Sequence, residues 1–379
     1  MAQPRQNSNK LRAVVVGAGI VGAPIAYHLA LRNVAVTLID KSRPGLGASS
    51  HSFAWINAGA KSPIAYHDFN RRSLEMWGRF AQQLGADVGL RWGGKISWEA
   101  TPERARELKK TVGQLQSWGY PTRLIDEAEL LQLEPGLSPG PVAAAEFSQI
   151  EGQVDPQRVV DACVKRIHEL GGVAQDNTTL SGLSLSRNGN RAQSVQTSQG
   201  DIPCDVVVLA AGVNTTALAA MAGVNIPQEE SPGVVMRTDP RPKLLRSVPV
   251  VYAPPIDASH QEIHLRQTSD GTVMIGEGSQ ESLSRDDSQS HANDLLARAT
   301  HYLPALAGAK AVPVPVGYRP MPLDGYPVLG FAEAAPNVYV ALTHSGVTLA
   351  PLIGELAAIE IVDGARVEVL KDYRPERFS

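Results

Sequence analysis

The sequence predicts an α/β fold in which a parallel, helix-flanked sheet is interrupted by a partly antiparallel insertion. An apolar strand from Leu11 to Val16 leads through a glycine-rich turn into a helix and a second strand. A second buried strand, Val206 to Gly212, ends in small residues. Between this strand and the C-terminal helix, segments with alternating apolar residues are typical of antiparallel strands. This order predicts one discontinuous α/β domain with an inserted α+β domain.

The turn after the first strand carries the strongest local signal. Gly17 permits the tight turn, Gly19 lets the backbone approach a pyrophosphate, and Gly22 lets the next helix pack close to the sheet. The helix from Ile20 presents its N–H groups and positive dipole end to phosphates. Asp40 ends the second strand 18 residues after Gly22, where an acid can bind ribose hydroxyls. The unit predicts a Rossmann-like dinucleotide site without distinguishing NAD from FAD.

Composition excludes several classes of function. The chain has 379 residues, 43% of them hydrophobic, and a net charge of −3 without a basic tract, which argues against a nucleic-acid partner. Two cysteines, Cys163 and Cys204, indicate a reducing compartment without a disulfide framework, so we expect a cytoplasmic protein with no metal site. Residues 1–10 lack the apolar core of a secretory signal and are predicted to be disordered. No stretch approaches the ~20 apolar residues of a membrane span.

Periodicity and end signals define the other elements. Thr101 and Asp155 are predicted N-caps, the latter with Pro156 at the first helical position. The predicted helices cover residues 20–31, 63–84, 102–118, 126–133, 156–170, 291–303 and 348–362. Further predicted strands cover 35–39, 94–98, 234–238, 262–267, 272–276, 312–318 and 338–341, with a hairpin of 180–186 and 192–197 around 188–189. We assign residues 11–90, 150–230 and 317–379 to the dinucleotide domain, and 91–149 and 231–316 to the substrate domain.

Four blocks together resemble the D-amino acid oxidase superfamily of FAD-dependent oxidoreductases. They are the unit ending in Asp40, the Gly152 to Pro156 segment, the strand from Val206 to Gly212, and Gly317 to Pro327 followed by Thr343 to Gly346. The resemblance is closest to the glycine oxidase, sarcosine oxidase and D-amino acid dehydrogenase branches. Because no second glycine unit follows a strand, a single dinucleotide must suffice, and the resemblance implies that it is FAD. It implies non-covalent attachment, since the surroundings of His51 match histidine-linked relatives poorly and no cysteine lies near Tyr318.

The resemblance also implies which residues contact FAD. The glycine turn and Asp40 hold the ADP end, and the loop after Asp40 passes beneath the pyrophosphate and the flavin. The backbone before the last helix is expected to stabilise negative charge on the reduced ring. The expected cofactor residues are Gly17, Gly19, Ile20, Val21, Gly22, Asp40, Lys41, Ser49, Ser50, His51, Leu180, Ala211, Gly212, Gly317, Gly346, Val347 and Thr348.

Arg319 is the expected carboxylate-binding residue of the substrate site, by its match to the Gly-x-Arg-Pro arginine of the resembling enzymes. A structural ion pair is the alternative role. His264 and Arg266 alternate along one strand and therefore face one side. His264 is expected to shape the pocket or take the amine proton, and Arg266 would suit a dianionic substrate; a solvent-facing strand is the competing interpretation. His344 is a candidate at the flavin end, and Met274 stands where the sarcosine oxidase branch has an oxygen-activating lysine.

The resemblance implies an enzyme that oxidises the C–N bond of a small amino acid or N-substituted amino acid. A hydride passes from the substrate to flavin N5, and the resulting imine hydrolyses. The electron acceptor is O₂ or a quinone or other carrier, and the chain can form a homo-oligomer. The alternative is an FAD-carrying subunit of a heteromeric amino acid dehydrogenase that is inactive without partner chains.

Overall fold

The computed structural model describes residues 10–187, 189–278 and 284–378. The disordered tail expected at the N terminus lies, except for Lys10, outside the described residues, as does Asn188 of the hairpin turn. The helices are α1 Gly22–Leu31, α2 Ile64–Leu84, α3 Pro102–Ser117, α4 Glu127–Leu133, α5 Pro156–Glu169, α6 Thr215–Ala220, α7 Gln289–Tyr302 and α8 Gly346–Asp363.

The strands are numbered in chain order. They are β1 Arg12–Val16, β2 Ala35–Ile39, β3 Trp55–Ile56, β4 Arg91–Trp92, β5 Lys95–Glu99, β6 Thr122–Ile125, β7 Ala144–Ser148, β8 Gly152–Gln153, β9 Val173–Gln175, β10 Leu180–Leu185, β11 Ala192–Thr197, β12 Gly200–Pro203, β13 Val206–Leu209, β14 Gln228–Gly233, β15 Val235–Thr238, β16 Val250–Ala253, β17 Ile263–Gln267, β18 Val273–Glu277, β19 Ala311–Pro313, β20 Gly317–Pro322, β21 Val328–Ala332 and β22 Ala335–Leu342.

A six-stranded sheet forms the first layer, in the order β21-β22-β13-β1-β2-β9. Its pairings are parallel except for the hairpin of β21 and β22. β1 is central and its valines are buried, as a strand covered on both faces requires. Helices α1, α2, α5 and α8 contribute to one apolar core with this sheet. The sheet confirms the predicted α/β class.

An eight-stranded sheet forms the second unit, in the order β19-β15-β18-β17-β16-β5-β7-β6. Its pairings are antiparallel except that of β16 with β5. One face is apolar, with Ile263, Leu265 and Ile275 in a core shared with Leu295 and Ala299 of α7. The opposite face is therefore free to carry polar groups.

The prediction of one strand over 312–318 is wrong. The structure divides this segment into β19, in the eight-stranded sheet, and β20, which pairs with β14. Pro313 and Pro315 lack the N–H group that a continuing ladder needs, so the chain leaves one sheet before entering the next. This break places Arg319 on a separate two-stranded ribbon. The strands β16 and β7 were not predicted.

His28 of α1 is buried between helices, and this gives a pH-dependent prediction. Its ring stacks on Phe80 with centroids 5.8 Å apart, and Nε2 has no hydrogen-bond partner in the described part of the chain. Burial, then Arg32 and Arg79, lower the pKa of His28 to about 4. Because the folded state binds this proton less readily than the unfolded state, the free energy of unfolding should fall as pH drops below about 6.5.

His28→Gln should remove this contribution. Between about pH 6 and about pH 5 the slope of unfolding free energy against pH should become shallower by up to about 1.4 kcal/mol per pH unit. Urea denaturation at several pH values measures it, and substitution of the exposed His168 by glutamine controls for loss of an imidazole elsewhere. Equal slopes for wild type and His28→Gln would contradict the prediction.

Candidate active site

The glycine turn lies where β1, β2 and β13 meet. Gly17 has φ of +103°, its N–H donates to Ile39 O at 2.8 Å, and a Cβ there would lie 2.4 Å from Ala210 O. A Cβ on Gly22 would lie 1.9 Å from Gly17 O. Neither position has room for a side chain, so the first turn of α1 is held against the carboxyl end of the sheet.

Asp40 follows β2 and lies beside this turn. Its Oδ2 accepts from Ala18 N at 2.8 Å, and Oδ1 accepts from Ser42 N at 2.9 Å and from the Ser42 hydroxyl. A carboxylate oxygen can accept two hydrogen bonds, so Oδ2 keeps acceptor capacity for a ribose hydroxyl. Lys41 next to it is exposed.

The loop after Asp40 closes over the turn. Ser49 Oγ accepts from Ile20 N at 3.0 Å, and a Cβ on Gly19 would lie 3.2 Å from the same oxygen. Ser50 Oγ donates to Gly47 O at 2.9 Å. The His51 side chain packs on Gly317, where a Cβ would lie 2.5 Å from the His51 Cβ. The loop therefore links the phosphate end of the site to β20.

The start of α8 completes the cofactor region. A Cβ on Gly346 would lie 3.1 Å from a methyl of Val21 and 3.3 Å from one of Ile20. The first turn of α8, with Val347 buried, therefore lies beside the first turn of α1. Thr348 Oγ1 is engaged elsewhere: it accepts from Asn57 N at 3.2 Å and donates to Trp55 O at 3.3 Å.

Three further cofactor candidates lie at two different places. Ala211 and Gly212 follow β13, and the Ala211 Cα would be 2.8 Å from a Cβ on Gly17. Leu180 begins β10 and is buried in an apolar core with Val14 and Ile39, so its side chain packs in the protein. The cleared space at Gly17, Gly19 and Gly22, the helix N terminus and the acid after β2 fit the ADP part of FAD.

The polar face of the eight-stranded sheet carries the substrate candidates in two cross-strand rows. Directly paired residues share a face. The first row, which we call the cationic row, is Arg237, Met274, Arg266, Val250 and Lys95. The second row is Gly276, His264, Tyr252, Ser97 and Glu146. His264 and Arg266 do lie on one face, and Phe53 contacts both.

Four rings form what we call the aromatic wall: Phe53, Trp55, Tyr252 and His264. The His264 ring stacks on Tyr252 at 5.1 Å and meets Phe53 edge to face at 4.6 Å. The Trp55 and Tyr252 centroids are 5.2 Å apart. His264 lies across Gly276, where a Cβ would be 2.5 Å from Nε2. Tyr252 and Trp55 are both only partly buried.

Arg319 lies on β20 next to the aromatic wall. Its Nη1 donates to Pro232 O at 2.7 Å and to Ser231 Oγ at 3.4 Å, which directs the side chain along β14. Burial lowers the pKa of Arg319, and Tyr252 opposes that shift. In turn, Arg319 contributes to lowering the pKa of His264 and of His344, so the three groups are close enough to interact.

Burial disfavours the charged form of both candidate histidines, His264 and His344. Burial, followed by the Arg319 charge, lowers the pKa of His264 to about 3. Burial, then Lys61 and Arg319, lower the pKa of His344 to about 3. His264 Nδ1 has no hydrogen-bond partner in the described residues, whereas His344 Nδ1 lies 3.2 Å from Ser345 Oγ. Neutral His264 keeps one ring N–H and has one acceptor nitrogen, so it can accept a hydrogen bond without carrying the imidazolium charge.

A buried carboxyl group that sequence reasoning missed lies behind the wall. Glu151 Oε2 accepts from Trp55 Nε1 at 2.7 Å, and Oε1 accepts from Tyr120 at 2.8 Å. Burial raises the pKa of Glu151 to about 7, and burial lowers that of nearby Lys61 to about 8. Glu151 directly precedes the Gly152 to Pro156 block, which was the available signal. The carboxyl group fixes the indole of Trp55.

Within the described ranges, no group of three or more His, Cys, Asp or Glu side chains is placed to hold a metal ion. None of the helices described there is long and apolar enough to cross a bilayer.

Comparison with known proteins places the chain among flavoenzymes. A family model for FAD-dependent oxidoreductases, DAO, matches residues 12–359. The chain is 28% identical over 373 residues to 4-methylaminobutanoate oxidase (formaldehyde-forming) of Paenarthrobacter nicotinovorans, covering 93% of this chain but only 44% of that protein. It is 25% identical to an opine oxidase subunit of Agrobacterium tumefaciens (strain Ach5), covering 96% of each.

A solved structure agrees over the whole fold. Glycine oxidase from Geobacillus kaustophilus superposes with a TM-score of 0.83 at 25% identity, covering 96% of this chain and 98% of that one. The predicted family and the predicted FAD cofactor are thereby confirmed. The family model covers most of the chain, and the glycine turn, the acid and the helix N terminus fit FAD. This chain therefore belongs to the DAO family of FAD-dependent oxidoreductases.

Proposed function

We propose that this chain oxidises the C–N bond of a small amino acid or N-substituted amino acid. The observation that carries the proposal is the meeting of Arg319 with the aromatic wall beside the start of α8. Arg319 offers a planar donor fork to a carboxylate, and the partial burial of its side chain strengthens that attraction. His344 directly precedes Ser345 and the start of α8, and Arg319 contributes to lowering its pKa.

The amine end of the substrate is bound by the wall. Neutral His264 presents Nδ1, which has no partner in the described part of the chain, as an acceptor for an amine N–H. The faces of Tyr252 and Trp55 suit an N-alkyl group or an ammonium group. Because His264 has a pKa of about 3, it orients the amine and is not the base that deprotonates it.

FAD bound at the glycine turn supplies the hydride acceptor for this chemistry. The residues of this chain hold the substrate carboxylate and amine, and exclude water from the reacting carbon. N–H groups in the first turn of α8, including those of Gly346 and Val347, and the positive end of its dipole favour negative charge on the ring system. The imine product hydrolyses in water to a carbonyl compound and an amine.

The purified holoenzyme tests the proposal. Anaerobic mixing with a panel of amino acids and N-methyl amino acids should bleach the flavin absorbance for at least one carboxylated amine, and not for the corresponding amine lacking the carboxylate. Reoxidation with O₂ or with a quinone then identifies the acceptor. A flavin that stays oxidised with the whole panel contradicts the proposal for the isolated chain.

A second candidate is a flavin subunit that works only with partner chains. Its support is the match to the opine oxidase subunit of Agrobacterium tumefaciens over 96% of both lengths. The same experiment separates the two: bleaching of the isolated chain supports an autonomous enzyme. An oxidised flavin that becomes reducible only when partner chains are added supports the role of a subunit.

A further inference from the structure

The cationic row contains two arginines that the pocket described above leaves unused. Arg266 is 3% exposed, yet its Nε has no hydrogen-bond partner in the described residues. Its remaining contacts are weak: Nη1 lies 3.4 Å from Gln153 Oε1 and Nη2 lies 4.0 Å from Met274 Sδ. Within the described ranges no carboxylate lies within ion-pair distance of Arg266. Burying a cation without a partner anion is unfavourable, so an anion is expected beside Arg266.

Arg237 adds a second positive charge two strands away in the same row. It donates to the backbone oxygen of Ser50 at 2.8 Å, and it contributes to the lowered pKa of Arg266, which is about 10. Two carboxylates, Asp155 and Asp270, raise the pKa of Arg266, but both have other partners. Asp155 accepts from Gln157 N at the start of α5, and Asp270 accepts from Thr272 N in the turn before β18. Lys95 in the same row differs from Arg266, because it forms an ion pair with Glu146 at 2.7 Å.

Arg266 lies close to His264, which we propose to bind the substrate amine. Arg266 is two residues from His264 on β17, about 7 Å along the strand. The Phe53 ring lies against both, 4.6 Å from the His264 ring and 5.8 Å from the Arg266 guanidinium carbon. Arg266 therefore lies beside His264 on the same face of the sheet, with the Phe53 side chain against both.

We propose that Arg266 and Arg237 form a second anion subsite for the distal carboxylate of an N-carboxyalkyl amino acid, while Arg319 holds the first carboxylate. This inference rests on the proposed function and names its substrate class. Guanidinium groups bind carboxylate and phosphate oxygens by the same charged hydrogen bonds. Because Arg237 binds the loop that carries Ser49, the cofactor pyrophosphate is the other source of such an anion, and the test separates the two.

Binding to the holoenzyme tests the subsite without turnover. Oxydiacetate and methoxyacetate differ by one carboxylate and cannot be oxidised as amines; flavin difference spectra measure their dissociation constants. Wild type should prefer oxydiacetate, and Arg266→Gln should reduce the preference by ~10-fold or more, the effect of losing one charged hydrogen bond, with methoxyacetate binding unchanged. Arg237→Gln should reduce it in the same direction. Arg241→Gln, on the segment following β15, is the matched control and should leave it unchanged.

The other outcomes overturn the inference. A preference equal in wild type and Arg266→Gln refutes the subsite. Loss of bound FAD in Arg266→Gln, measured as a fall in the ratio of flavin absorbance to protein absorbance of the purified variant, overturns the subsite and assigns the arginines to the cofactor phosphates. The amine pair iminodiacetate and N-methylglycine checks the proposed function separately: oxidation of N-methylglycine alone, with no preference for oxydiacetate, leaves that function standing and refutes the subsite.

Discussion

Arg319→Ala is expected to lower kcat/KM for a carboxylated amine by ~100-fold or more. A bidentate arginine makes two charged hydrogen bonds, each worth about 1.5–3 kcal/mol, and about 1.4 kcal/mol corresponds to a factor of ten. Most of the loss should appear in KM, since the carboxylate is bound alike in the ground state and the transition state. Anaerobic stopped-flow reduction of the flavin over a range of substrate concentrations measures it.

The substrate and the variant both have matched controls. An amine lacking the carboxylate should react equally poorly with wild type and Arg319→Ala, and Arg319→Lys should recover only part of the loss, because a point charge cannot form the planar pair. Arg285→Ala removes an exposed arginine that pairs with Glu230 and should change nothing. If KM for the carboxylated substrate hardly moves in Arg319→Ala, the pocket assignment is wrong.

Gly22→Ala should abolish FAD binding and destabilise the fold. The new methyl would lie 1.9 Å from Gly17 O and 3.1 Å from the Ala210 Cβ, so backbone rather than a flexible side chain must move. Any shift separates α1 from the end of β1, where we expect the phosphates of FAD to bind. The ratio of flavin absorbance to protein absorbance and the Tm of the purified variant measure the two effects.

A second glycine in a helix provides the control. Gly113 of α3 has nothing within 4 Å of the position of an added Cβ, so Gly113→Ala should keep full FAD content. It should raise the free energy of unfolding by about 0.5–1 kcal/mol, because alanine restricts the unfolded chain and favours a helix. Should Gly22→Ala bind FAD at wild-type stoichiometry with an unchanged Tm, the close packing of this turn is not required.

Local signals predicted the nucleotide unit and the main helices correctly. α3 begins after Thr101, whose hydroxyl accepts from Arg104 N, and α5 begins after Asp155, as the cap residues indicated. The boundaries of α1 and α8 moved by two residues, within the scatter of helix ends. The strand over 312–318 failed because its alternating valines outweighed two prolines in the pattern.

The substrate side was less accessible to sequence reasoning. β16 is only four residues long, so Tyr252 carried no periodic signal, although its pairing with His264 builds the aromatic wall. Glu151 and Lys61 look like ordinary surface charges in the sequence, and only the structure shows both to be buried. His264 was expected to be a possible proton acceptor, a role that its burial beside Arg319 disfavours.

The sequence by itself determined the cofactor end of this protein. Strand, turn, helix and acid lie within about thirty consecutive residues, and the spacing of the glycines and the acid identifies the unit from this segment alone. Only the tertiary structure decided the substrate end. Residues as distant in the chain as Phe53 and His264, or Arg237 and Arg266, meet through cross-strand register and loop packing. Such contacts depend on which strands pair, and a single strand does not encode its partner.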